Sequence, residues 1–332
     1  MTLHTALIGL GWWGRQIVSS LAESEIVSIV RVVEPRVAEN AEFAEAHGLM
    51  LGDDLDEALT DEAVQAVIIA TPHALHEEQV IAVAGSGRHV FCEKPLALNS
   101  AAARRMVDAC RQGGLKLGVG HERRFEGALE EARRMVLDDE IGTLLHLECH
   151  WSHNLFTRSE ASDWRRDPRQ APAGTLTALG VHITDYFQSV AGPVAQLTGT
   201  TADRSSNYPG DDVLTVQFRF RSGVTGSLAN LATTPFYSRI TIFGDRGWVE
   251  AREYSNVDVP EDATLEWHTA DGKAHNRTFP PTNTVKANIE QWAAAALGTG
   301  QYRFSDEELV HNIKILEAIV ASADTGAPVA IG

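Results

Sequence analysis

At 332 residues the chain exceeds what one hydrophobic core usually serves, so two domains are expected. Its 44% hydrophobic and 22% charged residues are those of an ordinary globular protein, and no apolar run approaches the ~20 residues of a membrane-spanning helix. A formal net charge of −17 opposes polyanions, and arginine clusters such as Arg104–Arg105 are interleaved with acids, which excludes nucleic acid as a partner.

The chain enters a strand pattern at once, with no basic stretch or long apolar run before it, so a cytoplasmic protein without an export signal is expected. Cys92, Cys110 and Cys149 are widely spaced and match no zinc pattern, which fits reduced thiols and no metal. After the first strand comes G-L-G-W-W-G, residues 9–14, opening a helix pattern in RQIVSSLAE. Gly9 permits the tight turn, Gly11 lets backbone approach a pyrophosphate, and Gly14 allows close helix packing. Trp12 and Trp13 fill the variable positions of this cofactor-binding loop. The second strand, VSIVRVVE, ends at Glu34, twenty residues after Gly14, where a carboxylate accepts hydrogen bonds from an adenosine ribose and favours NAD. Arg36, two residues on, is placed to receive a 2′-phosphate, so NADP stays open.

A helix over 37–47 follows, then the strand AVQAVIIATP, which delivers Thr71 and Pro72 to the ligand edge of the sheet. His73 and His76 of T-P-H-A-L-H read equally as cofactor contacts or as capping and packing residues of the helix over 75–84. The next strand carries Glu93-Lys94-Pro95. Pro95 holds Lys94 extended at that same edge, where an ammonium orients a hydroxyl and stabilises oxyanion charge. The other reading is a surface lysine paired with Glu93. One more helix and the strand KLGVGH close the first domain at His121. This alternation predicts a parallel, doubly wound sheet.

Beyond a helix over 125–137 the strands lengthen and alternate, as in LLHLECHW and the hairpin DVLTVQFRFRSGVTGSLANL, turning at Ser222-Gly223. Alternation predicts an antiparallel sheet with helices on one face. Residues 254–281, rich in Pro, Asn and Asp, read as loose. In GTLTALGVHITDYF, residues 174–187, a helical period puts Leu176, Leu179, Ile183 and Phe187 on one stripe. His182 lies beside it over Thr175, Ala178, Asp185 and Ser189, either as a site residue or as a half-buried histidine capped by Asp185.

Taken with H-E-R-R-F at 121–125, G-x-H-x-x-D at 180–185 and I-F-G-D-R-G-W-V-E at 242–250, these motifs resemble the glucose-fructose oxidoreductase, inositol dehydrogenase and rhizopine catabolism (Gfo/Idh/MocA) family over nearly the whole chain. The resemblance implies an α/β protein with an N-terminal Rossmann domain over 1–121. An α+β domain over 122–332, with a large, mainly antiparallel open-faced sheet, would bind substrate and form a homodimer or homotetramer. It implies an NAD(P)-dependent dehydrogenase acting on CH–OH groups of a sugar, cyclitol or dihydrodiol-like substrate. Lys94 and His182 would be catalytic: His182 takes the hydroxyl proton and Lys94 steadies the oxygen. Asp185 would fix the imidazole tautomer, and His150, His153, Trp164 and Arg165 would line the substrate wall. One departure stands out. Ala178 occupies a position that is aspartate in many members, and T-x-L-G-x-H is similar to a branch with dihydrodiol dehydrogenases. An NAD-retaining eliminase and a non-catalytic nucleotide sensor are the alternatives.

Overall fold

The computed structural model describes residues 1–154, 157, 167, 169–205, 211–254, 257 and 259–332. The chain divides into two compact units, Met1–Glu122 with Asn283–Val310, and Arg123–Thr282 with His311–Gly332.

In the first unit, strands β1 (Leu3–Ile8), β2 (Val27–Val33), β3 (Met50–Gly52), β4 (Ala66–Ile69), β5 (His89–Cys92) and β6 (Leu117–Val119) form a sheet in the order β3-β2-β1-β4-β5-β6. All its pairs are parallel. Helices α1 (Trp12–Leu21), α2 (Val37–Ala46), α3 (Leu55–Thr60), α4 (His76–Gly85) and α5 (Ser100–Gln112) make the crossovers. Because helices cover both faces, the central strands are apolar without alternation, and every residue of β4 is buried. The order reverses between β1 and β4, the place where such sheets open a crevice at their carboxyl edge.

The first unit also takes back a late segment. Helix α8 (Thr284–Ala296) seats Trp292 against Phe91 and Gly118, and the Trp292 indole donates to the Lys116 carbonyl at 3.2 Å. The Asn288 amide donates to the Val119 carbonyl at 2.8 Å. Reading the order of motifs assigned everything after 121 to the second domain, since a return of the chain leaves no local mark.

In the second unit helix α6 (Gly127–Leu137), strand β7 (Leu144–Ser152) and helix α7 (Val181–Ala191) precede strands β8 (Val194–Ala202), β9 (Val213–Phe220), β10 (Thr225–Leu231), β11 (Tyr237–Gly244) and β12 (Trp248–Arg252). Strands β13 (Ala263–His268) and β14 (Ala274–Phe279), helix α9 (Asp306–Thr325), which begins in the first unit, and β15 (Val329–Ala330) complete the order. The sheet runs β14-β13-β12-β11-β7-β10-β9-β8-β15, with β7 and β10 parallel and its other pairs antiparallel. In β9, Leu214, Val216, Phe218 and Phe220 all face the core, and each alternate residue between them is exposed. The hairpin turns at Gly223, whose φ of 90° suits glycine. The region read as loose contributes the hairpin β13–β14. Its last strand, AHNRTF, buries no residue fully, so it carries no apolar alternation by which to recognise it.

Candidate functional site

At the carboxyl end of β1 the backbone must turn into α1 within a few residues. Gly9 does so with φ 93°, and a Cβ on Gly9 would press on the Ala70 carbonyl at the end of β4. A Cβ on Gly14 would overlap the Gly9 carbonyl, so α1 packs directly on the turn. Gly11 differs, because a Cβ there meets nothing within 4 Å. Gly11 is also the N-cap of α1, with no side-chain cap and no acidic residue in the first turn. Open space beside uncapped N–H groups at the positive end of a helix suits a dinucleotide pyrophosphate. Trp12, 52% exposed, and half-buried Trp13 stand at the first turn, their rings 5.6 Å apart.

Glu34 is tied into this turn. Its carboxylate accepts the Leu10 N–H at 2.8 Å, and the Arg36 backbone N–H and Nε–H each at 3.2 Å. Burial alone would raise its pKa, but those hydrogen bonds and the guanidinium outweigh burial and hold it below the usual carboxylate range. The Arg36 side chain remains 59% exposed, between Glu34 and Glu39.

At the carboxyl end of β4 the Thr71 hydroxyl donates to Gln79 at 2.5 Å, Pro72 begins a short turn over His73–Leu75, and the half-buried His73 ring lies 5.7 Å from His76. His76 is completely buried, with Nδ1 3.0 Å from the Pro95 carbonyl and Nε2 3.0 Å from the Thr71 carbonyl. It therefore braces two loops from within and has no surface for a cofactor, which corrects its reading as a contact residue. Burial lowers its pKa, against the pull of the carbonyls. The brace holds the loop after β5, where Glu93 is buried, Lys94 is half-buried and the Lys94–Pro95 peptide is cis.

In the second unit His182 is buried on α7. Its segment does not start as a regular α-helix, since Leu176–Gly180 form a π turn, an irregularity common near functional groups. Gly180 is required there because a Cβ would come within 2.8 Å of the Asn230 amide oxygen on β10. The stripe of Leu176, Leu179, Ile183 and Phe187 is buried as expected. The face beside it is not open. Asp185 accepts two hydrogen bonds from Arg124, Nε at 2.6 Å and Nη2 at 2.7 Å, and a third from Gln188 at 3.2 Å. The pair is 6% and 1% exposed, so Asp185 is a buried ion-pair anchor. Asn312 from α9 clamps the same helix, donating to the Val181 carbonyl at 3.1 Å and accepting from Thr184 at 2.6 Å.

The substrate wall is partly redrawn. Trp151 is core, while His150, its neighbour on β7, turns to the opposite sheet face against Tyr237. His153 lies just after β7 with its ring 5.3 Å from Phe236. Trp164 and Arg165 fall outside the described residues. Arg124, Asn312 and Glu122 escaped the sequence reading. Only their motif H-E-R-R-F drew notice to two of them, without a role.

Residues 3–121 match the Gfo/Idh/MocA oxidoreductase family model with its NAD-binding Rossmann fold, and residues 129–250 match the Gfo/Idh/MocA C-terminal domain. D-xylose 1-dehydrogenase (NADP(+)) 2 of Haloferax volcanii is 28% identical over 320 residues, covering 94% of this chain and 97% of that protein. 1,5-Anhydro-D-fructose reductase of Ensifer adhaerens is 26% identical over 326 residues, covering 95% and 96%. Among solved structures, aldose–aldose oxidoreductase from Caulobacter crescentus, complexed with glycerol, superposes with a TM-score of 0.88 over 100% of both chains at 23% identity, a likeness of fold. Two matched domains in the expected order, with the glycine turn and E-K-P at the sheet edge, make this chain a member of the Gfo/Idh/MocA family of NAD(P)-dependent oxidoreductases.

Proposed function

We propose that the protein transfers a hydride between NAD(P) and a secondary alcohol or ketone of a sugar or related polyol. The observation that carries this reading is the carboxyl edge of the first sheet, where the uncapped start of α1 and the loop bearing Lys94 are both fixed in place. The nicotinamide, when bound, supplies the hydride chemistry. The turn from Gly9 to Gly14 holds the pyrophosphate and Glu34 the adenosine ribose. A charged, buried Glu34 supports NAD, while exposed Arg36 leaves room for the NADP used by the xylose dehydrogenase relative. Lys94 orients the substrate oxygen and stabilises its negative charge, and His182 accepts the hydroxyl proton. Ala178 supplies no carboxylate for a vicinal hydroxyl, which favours substrates that do not depend on one.

The relatives' names point to aldoses and anhydroketoses as the first substrates to try. The reading extends to a homo-oligomer paired through the sheet face that carries Glu148, Arg239, Glu250 and Arg252. It also extends to a reducing cytoplasm, in keeping with three buried free thiols. No helix among the described residues is long and apolar enough to cross a membrane. The test is incubation with NAD or NADP and a panel of aldoses, cyclitols and cis-dihydrodiols, read at the absorbance of the reduced nicotinamide. Net reduction is expected. Substrate consumption without an absorbance change would overturn the reading in favour of cofactor-retaining elimination.

A further inference from the structure

The ring of His76 meets a carbonyl on each side. Nδ1 lies 3.0 Å from the Pro95 carbonyl, one residue after Lys94, and Nε2 lies 3.0 Å from the Thr71 carbonyl in the loop after β4. A carbonyl only accepts, so each bond needs a proton on the nitrogen it meets, and a neutral imidazole has one proton for two nitrogens. We propose that His76 bonds the Thr71 loop and the Lys94 loop in turn, its tautomer deciding which of the two is held. It is thus a positioning residue for both loops and acts through their backbone.

Only an imidazolium, with a proton on each nitrogen, would bond both loops at once. His76 is completely buried, and both of its ring contacts are carbonyls, with no carboxylate between them to balance a charge. Burial outweighs the pull of the Thr71, Pro95 and Leu96 carbonyls and lowers the pKa, so the ring is neutral at pH 7. One nitrogen then turns a lone pair toward a carbonyl oxygen, a contact that repels. Because the two distances are equal, the geometry prefers neither tautomer. The loop that is not bonded keeps its place through other ties. On one side the Lys94 backbone N–H donates to Glu93 Oε2 at 3.2 Å; on the other the Thr71 hydroxyl donates to Gln79 at 2.5 Å, and the Thr71 methyl lies beside the Gly9 turn. When that loop lifts, water reaches the bare nitrogen, leaves a proton there and takes the proton from the other, so the charge of the ring is unchanged.

The turnover part of the test rests on the dehydrogenase reading; the tautomers do not. The test is nitrogen-15 NMR of the histidine rings at pH 7, without cofactor or substrate, with His76 assigned through the backbone of its neighbours. Both neutral tautomers are expected, as two sets of ring signals or as nitrogens averaged between the protonated and the bare position. Two protonated nitrogens, or one tautomer alone, overturns the inference. Two conservative variants read out the consequence. An asparagine amide reaches about where Nδ1 stands and a glutamine amide about where Nε2 stands, so His76→Asn keeps the bond to Pro95 and His76→Gln keeps the bond to Thr71. His76→Asn should keep turnover at saturating cofactor within about twofold and weaken binding of NAD or NADP ~tenfold. His76→Gln should do the reverse, with the dissociation constant within about twofold and turnover lowered ~tenfold. Loss of affinity and turnover together in both variants, as when a packing residue is damaged, overturns the positioning role. If neither variant folds, the ring spectrum of the wild type decides alone. A wild type that turns over no sugar, with its tautomers and the split in cofactor affinity intact, counts against the dehydrogenase reading only.

Discussion

Lys94 and His182 should separate cleanly by what they change. Lys94→Ala removes a donor useful mainly where charge develops, so turnover should fall ~10² to 10³ while cofactor dissociation constants barely move. His182→Asn should lower turnover by ~10² or more and remove the rise of oxidation rate with pH that a histidine base imposes. A variant that keeps both rate and pH profile would make His182 a structural residue. Glu34→Ala should weaken NAD more than NADP, measured as dissociation constants, because it deletes a ribose acceptor and frees Arg36. The glycine turn and Glu34 were legible because their geometry is local: a tight turn, a helix start and a strand end at fixed offsets. Asp185 shows the limit of such offsets. Its offset from His182 suggests a partnership within one helix, whereas the guanidinium it pairs with, that of Arg124, stands 61 positions away, beyond any spacing rule.

Helix α7 is held more firmly than its sequence suggests, with all its residues but Ser189 buried. Arg124 grips Asp185, Asn312 grips the first turn, and the Tyr186 hydroxyl donates to the Leu129 carbonyl at 2.9 Å. Breaking a buried ion pair from one side leaves an uncompensated charge, so Arg124→Met should cost ~3–5 kcal/mol in denaturant unfolding. Adding Asp185→Leu should restore most of it, since an apolar pair of similar volume avoids the desolvation cost. If the double variant is stable yet slow, the clamp serves the imidazole; if stable and fully active, it serves only the fold. The apolar stripe of this helix could be read from its period, but the π turn at Leu176–Gly180 could not, and Gly180 there faces Asn230 on a strand far along the chain.

The molecule as a whole should be less stable in alkali than its acidic composition suggests. Glu253 is buried near Glu126 and Arg123, and burial followed by the charge of Glu126 pushes it up to about 8. The unfolded chain releases this proton near 4.5, so stability falls as pH rises from there to about 8. Glu253→Gln should therefore raise the unfolding midpoint at pH 8 and change it little at pH 4.5, compared by thermal melts. Sedimentation at micromolar concentration should show a dimer or tetramer, and a monomer would count against pairing through the sheet. Short strands give way to longer ones near 121, but that change says nothing of how the chain threads between the two units. The chain passes from one to the other after Glu122, after Thr282 and after Val310. A gene fragment ending at residue 121 would leave the seat of Trp292 empty against Phe91 and Gly118, a notch in the nucleotide-binding half that nothing nearby in sequence can fill. The two halves are thus not interchangeable beads: a recombination that swaps one at residue 121 must carry the 283–310 segment along, or inherit a damaged cofactor module.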